Sequence, residues 1–338
     1  MSPHRTLAAA LAATALLAAC GGPGTSEEAD EATAAPGTPV AGSAELTIGL
    51  TYTPDVQFSP FYVAQERGYF EDAGVDVQLR HHGASEGLFS AAISGEEDLV
   101  VAGGDELLQA VAEGADLVAV STLYQDYPVA LIVPEDSDIQ DVGDLPGHSV
   151  GVPGEFGQTW FGLQVLLDEL GEAAQDVTVE TIGFTQLAAI TSGHVDAVMG
   201  FVNNEPVRLQ QQGVPTRTIP LDEDVPLVGI SLIATGEALE EDEEAVLAVN
   251  EAVLRAVADI VADPQVAVDA AEQHVPDLTT DEAQAAALAT MVATVPLYGT
   301  GDQIGALDPD RWSQMADFMG EQGLVSREVD VEGLLHQE

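Results

Sequence analysis

The sequence predicts an α/β protein of two lobes, built as two doubly wound sheets joined by a hinge of two chain crossings. Short apolar runs of strand character alternate with stretches of helical period from Leu46 onward, the pattern of parallel sheets covered by helices. The alternation falls into two cycles, bracketed by the long apolar runs Val129-Ala-Leu-Ile-Val-Pro134 and Leu227 to Ala234. Beyond Glu241 the chain reads helical, broken at Pro264, Pro276, Pro296 and Pro309.

In the first cycle, Leu46, Ile48, Leu50 and Tyr52 alternate as one face of a strand, and Pro60 to Arg67 read as a helix closed by Gly68. Val75 to Leu79 is strand-like, Ser85 to Ser94 helical, Asp98 to Ala102 a short strand, Glu106 to Glu113 a helix stopped by Gly114, and Leu117 to Val120 a strand. The second cycle runs through strand Ser149 to Val152, a helix from about Gln158 to Leu170, strand Val177 to Ile182 and a short helix at Gln186 to Ser192. Strand Val195 to Gly200 and helix Glu205 to Gln212 follow. The two bracketing apolar runs are taken as the crossings. Lobe one is then 45–130 with 229–338, the C-terminal helices packing back on it, and lobe two is 131–228.

The N-terminus has its own character. Arg5 precedes an uncharged run from Leu7 to Ala19, too short to span a hydrocarbon layer of about 30 Å as a helix, and Leu-Ala-Ala leads into Cys20. This predicts a lipoprotein signal peptide over 1–19 and lipid attachment at Cys20, which holds the protein outside the cytoplasm against the cell membrane. Cys20 is the sole cysteine, so no disulfide within the chain is possible. From Gly21 to Ala44 the chain is Gly, Pro, Thr, Ala and acids with no apolar period, which predicts a solvated tether over 20–44.

Composition excludes several activities. The chain of 338 residues carries 58 acidic side chains against eight arginines and no lysine, a formal charge of −50. A nucleic-acid binder needs a basic stripe to displace counterions, and anionic membrane surfaces repel such a chain. Without lysine there is neither a Walker A motif nor a Schiff-base anchor for pyridoxal. The acidity fits a surface solvated in salty surroundings, and biased codon usage explains it equally well. With 46% apolar residues the chain still has a core to build.

Ligands of open α/β sheets bind beyond the carboxyl ends of strands. Those positions hold Gln57, Phe58 and Tyr62 after the first strand, Gly104 and Asp105 after the third, and Tyr124 and Gln125 after the fourth. In the second cycle they hold Glu155, Phe156, Gln158 and Thr159, then Phe184 and Gln186, then Asn203, Asn204 and Glu205. Aromatic walls with amides and a carboxylate suit a planar, nitrogen-rich ring: Phe58, Tyr62, Tyr124 and Phe156 for stacking, Gln57, Asp105, Gln158, Asn204 and Glu205 for the ring edge. Each aromatic equally suits the core beneath its own loop. No arginine is among them. The helix start near Gln158 has free N–H groups suited to an anion, and Glu155 beside it argues against one.

Other patterns carry less. Adjacent His81 and His82 on a strand point to opposite faces, so no metal site is expected. The acidic run Glu237 to Glu244 reads as a solvated helix start. No Gly-x-Ser-x-Gly elbow is present, and no carboxylate pair stands in a recognisable catalytic setting.

The stretch beginning Phe61-Tyr-Val-Ala-Gln-Glu-Arg-Gly-Tyr-Phe, together with Asp144-Leu-Pro-Gly-His-Ser-Val-Gly-Val-Pro, resembles type II periplasmic-binding proteins. More narrowly the chain is similar to the family that binds thiamine-pyrimidine precursors, riboflavin, and sulfonates or nitrate for ABC importers, over about residues 45 to 325. The segments 56–62, 182–186 and 203–206 look most like its riboflavin-binding members, with the pyrimidine-precursor binders next. The resemblance implies a monomeric, non-enzymatic receptor without cofactor or metal, whose lobes close on a small heterocycle and are then recognised by a membrane permease. The family also includes a eukaryotic pyrimidine synthase that relies on a lysine-bound cofactor, which this lysine-free chain does not match. A sulfonate or nitrate receptor, an extracytoplasmic enzyme acting on a heterocycle and a purely structural lipoprotein stand as alternatives.

Overall fold

The computed structural model describes residues 44–83, 86–222 and 225–336. The predicted signal peptide, Cys20 and the tether up to 43 lie outside the described residues; Ala44, assigned to the tether on sequence grounds, opens the first strand. The strands are β1 (Ala44–Leu50), β2 (Val75–His81), β3 (Leu99–Gly103), β4 (Leu117–Thr122), β5 (Val129–Pro134), β6 (Ser149–Val152), β7 (Thr178–Thr181), β8 (Ala197–Phe201), β9 (Thr216–Pro220) and β10 (Ile230–Thr235). They form two five-stranded sheets of orders β2-β1-β3-β10-β4 and β7-β6-β8-β5-β9.

Each sheet is mixed. β10 runs antiparallel to β3 and β4, and β5 antiparallel to β8 and β9. In both cases the reversed strand is the one that enters from the other lobe. Val129 pairs with Phe201 at the end of β8, and Ile230 with Gly103 at the end of β3. The chain crosses at the carboxyl edge of one sheet and must start its next strand at the carboxyl edge of the other. The two apolar runs expected to be crossings are therefore interior strands, and the crossings lie just before them. The run Leu227 to Ala234 becomes strand only from Ile230, because Leu227 and Val228 are buried in the hinge itself.

Helices cover the sheets. They are α1 (Ser59–Glu66), α2 (Tyr69–Asp72), α3 (Ser90–Ile93), α4 (Gly104–Glu113), α5 (Gly157–Leu170), α6 (Gln186–Ser192), α7 (Glu205–Gln211), α8 (Gly236–Ala262), α9 (Gln265–Ala271), α10 (Asp281–Thr294) and α11 (Pro309–Glu321). The helix expected over Ser85 to Ser94 is reduced to α3, its described part interrupted by Gly87. The acidic run opens α8 and kinks it at Asp242, whose carboxylate accepts the Ala245 N–H at 3.1 Å and so caps the second segment.

Strand alternation divides the core. Leu99 and Val101 face a cluster with α1, α8, α9 and α10, whereas Val100 and Ala102 face a second cluster that continues through the hinge into lobe two. Ile132 and Val198 project from the far face of the second sheet into a small third cluster with α6 and α7.

One C-terminal helix departs from expectation. α8, α9 and α10 pack on lobe one, but α11 lies across the hinge, with Trp312, Met315 and Met319 buried in the shared cluster. Arg311 donates to Gln125 O at 2.8 Å and Leu227 O at 3.1 Å, one carbonyl from each crossing. Gln322 donates to Asp168 of α5 at 2.6 Å, while Leu324 O accepts from Gln109 of α4 at 3.2 Å. The crossings also touch directly: a side chain on Gly229 would collide with the Tyr124 carbonyl. Gly229→Ala should destabilise the protein by about 1–3 kcal/mol because backbone, not a flexible side chain, must yield; an unchanged thermal midpoint would show that the crossings are not pressed together.

Candidate ligand-binding site

Parallel strands followed by helices place their strand-end loops on one edge of each sheet, the edge at which the crossings enter. Loops from both lobes therefore gather around the hinge. The lobes meet there at two contacts.

The first contact joins the start of α4 to the start of α5. Asp105 is fully buried; its carboxylate accepts the Tyr127 hydroxyl at 2.6 Å and the Glu106 N–H at 2.8 Å. The Tyr127 hydroxyl also lies 2.8 Å from Gln158 O in lobe two. Glu106 accepts the Gly103 N–H at 2.8 Å, completing a cap on its own helix. Its other carboxylate oxygen lies 3.1 Å from the place a Gly157 side chain would start, at the amino end of α5. A Cβ on Gly103 would push on the Asp105 carboxylate and the Gln158 amide. Gly104 is held more tightly, with Val228 and Trp312 within 2.8 Å of its absent Cβ. Gln158 is buried, and its Nε2 has no partner among the described residues. Burial pushes the Glu106 carboxyl up to about 7, and burial with the neighbouring Glu106 charge raises Asp105 well above the usual carboxylate range.

The second contact joins α7 to α10. Asn203 is fully buried and donates to Thr294 Oγ1 at 2.8 Å, leaving its own Oδ1 unpartnered among the described residues. Tyr124 packs edge-on against Tyr298, ring centroids 5.4 Å apart. Glu205 accepts the Phe201 N–H at 2.7 Å and lies against Gly200, so that carboxylate oxygen is spent on joining β8 to α7.

The remaining predicted residues divide by exposure. Tyr62 is fully buried, stacked on His274 at 4.3 Å with its hydroxyl 2.9 Å from His81 Nε2. His81 Nδ1 lies 3.0 Å from Tyr52 O, which holds the loop after β1, and Phe58 packs edge-on against the same imidazole. Gln57 is half-buried and its N–H donates to Asp55 at 3.0 Å. Gln125 spends its amide on Thr122 O and Ala306 O at 2.6 and 3.1 Å, and Thr159 and Gln186 are buried in their helix starts. Glu155 is exposed and Asn204 half-buried. Phe156 and Phe184 are exposed by 55% and 65%, and form an edge pair 6.5 Å apart. Tyr52, on the loop after β1, is exposed by 49%.

Sequence reasoning missed Tyr52, Glu106 and Tyr127 as site residues. Tyr52 was visible as the last alternating residue of its strand, and Glu106 stands three residues past a strand-end glycine, the spacing of a capping box. Nothing local marks Tyr127.

Among the described residues, His82, Glu86 and Glu97 bring ligand atoms within 4.8 Å of one another. Arg80 lies between the two carboxylates, 2.6 Å from each, and His82 is 2.8 Å from Glu97. The guanidinium supplies the positive charge this cluster calls for. His81 and His82 point to opposite sides, as strand alternation requires.

Two lobes of mixed five-stranded sheets with strand-end loops facing a two-crossing hinge define a periplasmic-binding-protein fold. The periplasmic aliphatic sulphonate binding protein SsuA of Escherichia coli has the same architecture, with a TM-score of 0.70 at 20% identity over 86% of this chain and 97% of that one. The chain belongs to the NMT1/THI5-like family, whose model matches residues 55–267. It is 33% identical to the riboflavin-binding protein RibY of Chloroflexus aurantiacus, over 98% of this chain and 96% of that protein. It is 29% identical to a 4-amino-5-hydroxymethyl-2-methylpyrimidine phosphate synthase of Aspergillus parasiticus, over 52% of this chain and 51% of the synthase.

The raised carboxyls make stability depend on pH. A carboxyl whose folded pKa lies above its unfolded value binds protons more tightly when folded, so stability falls as pH rises through the interval between the two. For Glu106 that interval runs from 4.5 to about 7. The urea midpoint should be higher at pH 5 than at pH 8, and Asp105→Asn should flatten the difference; a midpoint rising with pH would contradict the buried acid pair.

Proposed function

We propose that this chain is the extracytoplasmic binding component of an ABC importer. It captures a planar, uncharged heterocycle, riboflavin in first place and a thiamine pyrimidine precursor next. The observation that carries this is the set of exposed rings on strand-end loops, Tyr52 in lobe one and the Phe156–Phe184 pair in lobe two, with no guanidinium among those loops. Apolar rings left in water on ligand-edge loops are suited to stack on an aromatic ligand. Gln158 Nε2 and Asn203 Oδ1, buried and unpartnered at the two contacts, offer one donor and one acceptor to its polar edge. The similarity to RibY along nearly the whole chain supports the same ligand class.

Ligand bridging both lobes stabilises their closed arrangement, which the permease then reads. The chain acts as a monomer and releases its ligand unchanged, so it is not an enzyme. Cys20 carries the lipid that keeps it at the membrane, and the tether runs from it to the start of β1 at Ala44. Lobe one carries β1 to β4 and β10, lobe two carries β5 to β9, and α11 lies across the hinge between them.

Riboflavin fluorescence should be quenched on binding, and Phe156→Ala or Phe184→Ala should weaken binding by about tenfold, the loss expected for one stacking partner. Wild-type affinity in both variants would remove these rings from the site. Cys20→Ser should release the protein from the membrane fraction into the soluble fraction; retention there would count against lipid anchoring.

A further inference from the structure

We propose that His81 is a positioning residue for the ligand: it fixes the loop after β1 so that the Tyr52 ring is held ready to stack. This rests on the flavin reading above, with Tyr52 as one of its rings.

His81 ends β2 and pairs in register with Leu50, the last residue of β1. It therefore stands beside the point at which the chain leaves the sheet. From Thr51 to Pro54 the backbone is bent without helix or strand, and a segment of that kind keeps one shape only if side chains hold it. Two side chains do so. Thr51 Oγ1 donates to Val101 O at 2.6 Å, and His81 Nδ1 lies 3.0 Å from Tyr52 O. A carbonyl only accepts, so the proton of a neutral imidazole is on Nδ1, and Nε2 is left to accept the Tyr62 hydroxyl 2.9 Å away. Tyr62 is itself fixed. It is fully buried and lies flat on His274, ring planes 2° apart, and His274 Nε2 is 3.2 Å from Glu66 Oε1. Phe58, at the far end of the same loop, packs edge-on against the imidazole with centroids 5.5 Å apart. The imidazole is thus set from both sides, and the carbonyl it grips belongs to the residue of the loop whose aromatic ring is exposed, by 49%. Tyr62, read from sequence as a ring for the ligand, serves instead as the buried support of the loop that presents Tyr52. Holding an exposed ring in its bound place before the ligand arrives lowers the ordering cost of binding.

The test is a fluorescence titration with riboflavin of the full-length wild type, Tyr52→Ala, His81→Gln, the double variant and His81→Asn, with thermal midpoints read alongside. The asparagine amide reaches as far as Nδ1 and keeps the bond to Tyr52 O. The glutamine amide reaches as far as Nε2, keeps a partner for the buried Tyr62 hydroxyl and gives up Tyr52. Tyr52→Ala should weaken binding by about tenfold and His81→Gln by about fivefold, while the double variant should bind no more weakly than Tyr52→Ala, because His81 acts through that ring alone. His81→Asn should stay within about twofold of wild type. A residue needed only for stability would lower the midpoint and multiply its loss with that of Tyr52→Ala. If His81→Gln does not fold, His81→Ala takes its place in the cycle. Multiplied losses, wild-type affinity in a folded His81→Gln, or a loss of about fivefold or more in a folded His81→Asn would each overturn the inference. Wild-type affinity in Tyr52→Ala would overturn it and leave the flavin reading standing on Phe156 and Phe184. Failure of wild type to bind riboflavin would overturn the flavin reading and the inference with it.

Discussion

The structure depends on one constraint: both crossings run along the carboxyl edges of the sheets. A chain that arrives at that edge starts its next strand there and runs it away from the hinge, which is why β5 and β10 are the reversed strands of their sheets. The same geometry puts the loops after β1, β3, β6, β7 and β8 beside the hinge, where residues from both lobes share one environment. Both site and hinge are therefore consequences of where the chain changes lobes. Close approach at Gly229 and Gly104, and the paired hydrogen bonds of Arg311, hold the crossings together.

Charge acts within that frame in two ways. Over the surface, 58 acids against eight arginines favour solvation and give no counterion-release handle for nucleic acid. At the first inter-lobe contact Asp105 is buried and Glu106 half-buried, and the loss of solvent favours their protonated forms. Hydrogen bonds from the Tyr127 hydroxyl and the Gly103 and Glu106 N–H groups offset part of that burial. Asp105 thus ties the start of α4 to Tyr127 on the crossing, and the Tyr127 hydroxyl in turn reaches Gln158 O on α5.

Much of the fold was legible because period and punctuation agree: Gly114 stops α4, and the short apolar runs ending at Ala102, beginning at Leu117 and beginning at Ser149 are strands β3, β4 and β6. What misled was burial that is not strand. Leu227 and Val228 are as apolar as the strand that follows, but they belong to the crossing. The candidate site was legible as a set of loops more than as a set of side chains. Tyr62 and Tyr124 stand at strand ends and are buried under their own loops, whereas Phe156 and Phe184 are open to solvent. Whether an aromatic fills a core or faces water is decided by neighbours distant in sequence, as is the placement of Glu106 against Gly157.

Because β10 lies between β3 and β4, the first sheet is an unfinished fabric until residues 230–235 have been added. The second sheet is drawn from one uninterrupted stretch, β5 to β9, and has every strand it needs long before the carboxyl terminus arrives. A chain emerging N-terminus first therefore carries an open seam while residues 123–229 are being made, with the edges of β3 and β4 unpaired toward each other, and that seam is closed only when the late strand threads between them.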